Sequence, residues 1–356
     1  MPIEHFKNAL HFITTVHPIF ETMFRLIFIL VTLLFAVPPI TKAPIQKVKG
    51  VALVGPPKEV GPEYLAPIKD LNADHVCVIP YAYGPNSEHR IYFKGVDWQW
   101  WGERKEGVRS MIDAAHAQDI KVMLKPHLWL EHGIFTGHFE ASSEEEWRAF
   151  EESYEIYIIE YAWLARETDV EIFCIGTELY KFVEQRPEYW NSLIRKVRSI
   201  YSGRLTYAAN WDNFDKIPFW KELDLIGVDA YFPLSESKTP DVAELMNGWL
   251  PHFEKIQMVQ KKNERPIIFL EYGYRSTDHA AKEPWDSGRG NRVVNFKAQE
   301  NSYKALYEMF WDQPWFAGGF LWKWHTDHQR AGGPANTRFT PQNKPAEDSI
   351  RERYDS

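Results

Sequence analysis

Eight short β-rich runs alternate with longer helix-patterned stretches, and no other feature of this 356-residue chain limits its fold as tightly. The runs are "VKGVALVG" (48–55), "HVCVIPYAY" (75–83), "KVMLKPHLW" (121–129), "EIFCIGTE" (171–178), "LTYAANW" (205–211), "LDLIGVDAYF" (223–232), "RPIIFLEYGY" (265–274) and "GGFLWKWH" (318–325). Between them lie helical patterns such as 107–119, 144–167, 188–201 and 296–312. Strands alternating with helices in this number predict an α/β fold, a (β/α)8 TIM barrel with a parallel sheet. The runs are nearly continuously apolar, as strands covered on both faces are. A last helix around Pro341 to Tyr354 would close the ring. No internal repeat or low-complexity linker divides the chain, so residues 44–356 read as a single domain.

Residues 1–43 read as a targeting segment. An Arg at position 25 precedes an apolar run from Leu26 to Val37, followed by prolines and small residues. The run has the length of a signal-peptide core and is shorter than the ~20 residues of an ordinary span. Met23 is a candidate true start, because residues 1–22 would be an unusually long lead. This pattern predicts a secreted or periplasmic protein, or a membrane-anchored one if the segment is not cleaved. The formal net charge is -8 and no long Lys/Arg block occurs, so nucleic acid is not an expected partner. The two cysteines, Cys77 and Cys174, show no metal-ligand spacing and sit in apolar runs, which predicts buried thiols; a disulfide between them stays open.

In such a barrel, functional side chains come from the C-terminal strand ends and the loops that follow. Period-two alternation is the guide to which of them point inward. It groups Glu178 with Cys174 and Gly176, and Glu271 with Ile267 and Phe269. It also groups Lys125 and His127 with Met123, Asp229 and Tyr231 with Gly227, and Trp322 and Trp324 with Phe320. Polar and aromatic groups are thereby expected at one mouth. Two glutamates face each other there, at the ends of the fourth and seventh strands. Paired carboxylates across a cleft are what glycoside hydrolysis needs: one protonates the leaving oxygen and the other attacks the anomeric carbon. Retaining enzymes hold the pair about 5–5.5 Å apart and split their pKa values. Fifteen tryptophans fit an aromatic-lined sugar cleft, and equally a large core.

"IGTEL", "LTYAANW", "LIGVDAYFPL" and "LEYGY", in order and each at an expected strand end, resemble glycoside hydrolase family 113 of the clan A retaining glycosidases. The resemblance covers about residues 48–350. It implies β-mannanase-like hydrolysis of β-linked glycans, such as β-1,4-mannan or manno-oligosaccharides, with no cofactor and no metal. It implies Glu178 as acid/base and Glu271 as nucleophile. Much of the clan has Asn before the acid/base, where it touches the sugar 2-hydroxyl. Thr177 stands there instead, and Asn210 is the candidate replacement. Tyr231 is expected to hydrogen-bond the nucleophile. Lys125 and His127 are expected to bind sugar hydroxyls, or else to pair with carboxylates such as Asp229. Trp322 is the candidate subsite floor, and Trp129, Trp211 and Trp285 are candidate stacking platforms. "DWQWWGE" (97–103) sets three tryptophans after the second strand, at least one of them packing the loop. "EPWDSGRGNR" (283–292) suggests a mobile rim, and His325, Asp327 and His328 only mimic a metal cluster. The competing readings are a glycosidase for another β-glycan, a Schiff-base lyase using Lys125 or Lys323, and a non-catalytic glycan-binding barrel.

Overall fold

A computed structural model describes residues 45–85, 88–94, 98–130, 134–288 and 293–356. The targeting segment proposed for 1–43 lies outside them. Among the described residues no helix is long and apolar enough to cross a membrane.

Ten strands form. They are β1 (Val48–Val54), β2 (His75–Val78), β3 (Tyr81–Tyr83), β4 (Lys121–Leu124), β5 (His127–Trp129), β6 (Ile172–Thr177), β7 (Arg204–Asn210), β8 (Ile226–Asp229), β9 (Ile267–Tyr272) and β10 (Phe316–His325). Eight close a parallel barrel in the order β1-β10-β9-β8-β7-β6-β4-β2, which is the predicted (β/α)8 architecture. The second and third predicted strands each divide in two. Pro80 and Pro126 sit at equivalent register, since His75 pairs with Lys121 and Tyr81 with His127. A proline offers no N–H to the ladder. Beyond this break β3 and β5 pair with each other as a separate two-stranded ledge, and Tyr83 also bridges to Tyr92.

The helices are α1 (Ala66–Asp70), α2 (Lys105–His116), α3 (Glu144–Glu167), α4 (Tyr180–Gln185), α5 (Pro187–Ile200), α6 (Val242–Asn263), α7 (Phe296–Phe310) and α8 (Pro345–Asp355). α6 lies outside the helical patterns named above. Local capping sets its start, where the Asp241 side chain accepts from the Glu244 N–H at 2.8 Å. α3 starts in the same way, with the Ser143 hydroxyl accepting from the Glu146 N–H and three glutamates in the first turn.

Two apolar cores result. Inside the barrel, Ala52, Cys77, Met123, Ile172, Cys174, Ala208, Leu225, Ile268, Leu270 and Phe320 pack together. Both cysteines are buried there as free thiols. Outside, strands pack on helices through aromatic clusters. Trp190 of α5 is fully buried against Tyr154, Phe182, Tyr207 and Phe219, at centroid distances of 5.1–5.9 Å. Gly176 of β6 is forced by this packing, because a Cβ there would lie 2.8 Å from both the Trp190 ring and the Tyr154 hydroxyl.

Trp190→Ala removes the centre of this outer cluster. It is expected to cost about 3–5 kcal/mol of stability in chemical denaturation. A loss below ~1 kcal/mol would show that the cluster closes over the cavity.

Candidate active site

The strand ends carry their side chains to the mouth through breaks in regular alternation. On β6, Cys174 pairs with Thr206 and Thr177 with Ala208, so three steps oppose two. This bulge turns Ile175 and Gly176 outward together and returns Thr177 inward, in register with the interior Ala208. Glu178 then takes a left-handed backbone (φ 52°) while its N–H still donates to the Ala208 carbonyl at 2.7 Å. A non-glycine residue there is uncommon and marks a constrained position. Glu178 therefore reaches the mouth, but not by sharing an inward face with Gly176.

β9 behaves similarly. Ile267 and Phe269 point outward, Phe269 against Phe310 at 5.0 Å, while Ile268 and Leu270 fill the barrel. Simple alternation from Ile267 and Phe269 would have turned Glu271 away from the axis. The register slips by one residue between Phe269 and Glu271, and Glu271 faces in. β10 gives the opposite correction. An extra residue lies between Leu321 and Trp324 relative to β1. Trp322 stays against the inner core, whereas Trp324 is buried outside and stacks on His328 at 5.5 Å. Lys323 takes the place at the mouth expected of Trp324.

At the centre, Lys125 Nζ donates to Glu271 Oε1 at 2.5 Å and lies 3.4 Å from both Asp229 oxygens. The Tyr231 hydroxyl donates to Glu271 Oε2 at 2.7 Å. Glu271 thus receives a donor on each oxygen and is held in one orientation. Lys125 and Asp229 are both 0 % exposed, sealed beneath Glu271. Both are engaged in the ion pairs that were the alternative expectation for them.

The electrostatics follow from crowding. Burial pushes the Glu178 carboxyl well above the usual carboxylate range, and the Asp229 and Glu271 charges add to this. Burial also raises Asp229, with Lys125 opposing and Glu271 reinforcing. Burial would lower the Lys125 ammonium, but Asp229 and Glu271 outweigh it and hold it well above its ordinary value. Asp229 and Glu271 share the Lys125 ammonium directly, and Glu178 lies within electrostatic reach of all three. Burial and Lys125 pull His127 down to about 4, so it is neutral at pH 7. Its Nδ1 donates to the Leu128 carbonyl at 2.9 Å and its ring lies 5.2 Å from Tyr81, which leaves Nε2 as an acceptor for a hydroxyl.

The remaining candidates divide between two sides. Trp211 and Trp285 stack on each other at 5.0 Å and 18°, so they form one paired platform rather than two separate ones. Trp129 is 60 % exposed and Trp322 partly buried; both line a cavity of about 520 Å³ together with Trp98, Trp100, Tyr81, Tyr83 and Glu103. Trp101 is the loop tryptophan that packs against the core. The cavity does not include the glutamates themselves, but Tyr81 and Lys323 on its wall feel the Glu271 charge. Asn210 caps its own turn, its Oδ1 accepting from the Trp211 N–H at 3.0 Å, and its amide nitrogen has no partner among the described residues. The buried Thr177 hydroxyl likewise has none. His325 lines the cavity while His328 stacks outside, so the two do not converge. Part of the 283–292 rim lies outside the described residues. Sequence reasoning offered Lys323 only as a candidate Schiff-base amine and missed Arg338 altogether; Arg338 sits in a loop with no periodic pattern to place it.

The sequence profile of Glycoside Hydrolase Family 113 matches residues 60–344. The chain belongs to that family. Two solved structures of GH113 β-1,4-mannanase, one of them a complex, superpose with TM-score 0.74. They are 25 % and 26 % identical to this chain, and the alignment covers 88 % of it and all of each of them. The GH113 β-mannanase AaManA from Alicyclobacillus acidocaldarius, in complex with ManMIm, superposes at 0.73 with 26 % identity, covering 87 % of this chain and 98 % of its own. No curated protein matches this sequence. This family 113 barrel is a glycoside hydrolase with a glycan substrate.

In this family 113 chain, Lys125→Met leaves two buried carboxylates without their ammonium. We expect a loss of about 3–5 kcal/mol in denaturation, together with a fall in kcat larger than any rise in KM. Wild-type stability with wild-type kcat would contradict the role of this ion cluster.

Proposed function

We propose that this glycoside hydrolase is a retaining β-mannanase-like enzyme, cleaving β-1,4-mannan or manno-oligosaccharides by double displacement. Glu178 is the acid/base and Glu271 the nucleophile. The observation that carries this reading is the asymmetry of the two carboxyls. Burial, reinforced by the Asp229 and Glu271 charges, raises the Glu178 carboxyl well above the usual carboxylate range. Glu271 is gripped on both oxygens by Lys125 and Tyr231. Glu178 is therefore the group suited to give a proton, and Glu271 the group held in position to attack.

In the first step Glu178 gives its proton to the glycosidic oxygen as a Glu271 oxygen attacks the anomeric carbon. The leaving chain departs as an alcohol and a glycosyl ester to Glu271 forms. Glu178, now ionised, then takes a proton from water; the resulting hydroxide opens the ester and frees Glu271. Burial keeps the Tyr231 phenol far from ionising, so it remains a donor to Glu271 throughout. Trp322 underlies the sugar at the cleavage point. Trp211 with Trp285 receives sugars on one side, and the cavity walled by Trp98, Trp100 and Trp129 receives them on the other. Asn210, through its free amide, supports the 2-hydroxyl, and neutral His127 accepts a hydrogen bond from a neighbouring hydroxyl. We further infer that residues 1–43 direct the protein out of the cytoplasm, supported by the apolar run Leu26–Val37; N-terminal sequencing of the native protein starting at Met1 or Met23 would count against cleavage.

Hydrolysis of β-1,4-manno-oligosaccharides, with product anomers followed by NMR, tests the mechanism. A β-anomer as first product is expected, and an α-anomer would remove Glu271 from the nucleophile role. Glu271→Ala should abolish turnover, and Glu178→Gln should lower kcat/KM by roughly 10²–10⁴-fold for unactivated substrates.

The raised Glu178 carboxyl also sets a pH dependence. Its acid form survives above the ordinary value of about 4.3 and is lost as pH rises through the raised value. The alkaline limb of kcat/KM therefore lies well above that ordinary value, and it should vanish in Glu178→Gln. A limb that persists in this variant would assign it to another group.

A further inference from the structure

The cavity beside Trp322 has an electrostatic feature that neutral-sugar binding does not use. Lys323 and Arg338 both line it. Neither side chain has an ion-pair or hydrogen-bond partner among the described residues; the Lys323 ammonium lies only over its own neighbour's ring, 5.5 Å from the Trp322 centroid. Other cations around the mouth are engaged. Lys125 is held by Glu271 and Asp229, Arg275 by the Ser287 and Thr337 carbonyls, and Lys344 by the Ser276 hydroxyl and the Arg338 carbonyl.

The acid in the same cavity does not complete them. Glu103 accepts from the Tyr83 hydroxyl at 2.8 Å and forms no ion pair with either cation. Glu271 lies within electrostatic reach of Lys323, yet both of its oxygens are already taken. Burial draws the Lys323 ammonium below its ordinary value, Glu271 opposes this, and Arg338 adds to it. Burial with the same two cations and Lys344 pulls His325 down to about 4, so it stays neutral and adds no charge. Two unpaired like charges thus stand together on an aromatic-walled cavity next to the nucleophile. A half-buried cation without a partner is costly, and a carboxylate is its natural complement.

We propose that this cavity is a subsite for an acidic sugar, a uronate whose carboxylate pairs with Lys323 and Arg338 while its ring packs against the cavity's tryptophans. The inference rests on the glycosidase reading above and specifies the substrate class of the same cleft: a β-linked glycan carrying uronic acid residues or branches on the side of the cavity. Such a sugar matches the two unpaired charges, so the charged unit is preferred over its neutral counterpart.

The test is calorimetric titration of the full chain with three probes: methyl β-D-mannosiduronate, methyl β-D-mannoside and its 6-sulfate. The uronate should bind roughly tenfold or more tighter than the neutral mannoside, and this ratio should shrink as salt rises. The ratio should fall toward one in Lys323→Gln and in Arg338→Gln; Arg338 is exposed, so its variant is expected to fold normally, which circular dichroism and melting would verify. Equal binding of uronate and neutral mannoside overturns the inference, and so does a ratio untouched by both substitutions. Tighter binding of the sulfate than of the uronate overturns the carboxylate assignment. If the inference fails while neutral manno-oligosaccharides are still hydrolysed, the reading beneath it stands. Failure of both binding and hydrolysis removes that reading as well.

Discussion

The mouth of this barrel depends on one buried ammonium. Lys125 sits at 0 % exposure between Asp229 and Glu271, contributed by strands β8 and β9, although it comes from the end of β4. It is stable there only because carboxylates surround it, and they are tolerable only because of it. The cluster ties three separated strands together across the barrel. It also fixes Glu271 and leaves Glu178 with unfavourable neighbours in Asp229 and Glu271, so protonation of Glu178 relieves the crowding. The different electrostatic surroundings of these two chemically identical side chains thus follow from where one lysine lies.

Backbone irregularity is what delivers these groups. The bulge in β6, the slipped register in β9 and the extra residue in β10 all occur at the same end of the barrel. Below them the side chains fill a core, with a further register shift between Phe316 and Gly319 of β10. Above them, the chain departs from the pleat and re-aims Glu178, Glu271 and Lys323. Such departures carry a local cost, which the closed ladder and the outer aromatic clusters over-determine.

The two sides of the cleft are built differently. The Trp211–Trp285 pair offers an aromatic face. The opposite cavity adds charge to its aromatic walls, through Lys323, Arg338 and Glu103. It is roofed in part by the β3–β5 ledge, which exists because Pro80 and Pro126 end two barrel strands at matching positions. Aromatic faces thus occur on both parts of the cleft, and the cationic side chains of Lys323 and Arg338 belong to the cavity alone.

The sequence by itself determined the architecture. Eight apolar runs, alternating with helical patterns, admit few closed arrangements other than a parallel barrel, and the strand-end motifs named the family. It also offered Glu178 and Glu271 as candidates from the strand-end motifs, and it anticipated the Tyr231–Glu271 hydrogen bond. It could not show how each side chain is aimed. Period two holds only while the ladder is regular, and the placement of Glu271 and Trp324 was decided by register slips that neighbouring strands impose. The burial of Lys125 and Asp229, the mutual stacking of Trp211 and Trp285, and the meeting of Lys323 with Arg338 were likewise decided in three dimensions. Each depends on residues far apart in the chain, whose separation and partners become defined only when the barrel closes.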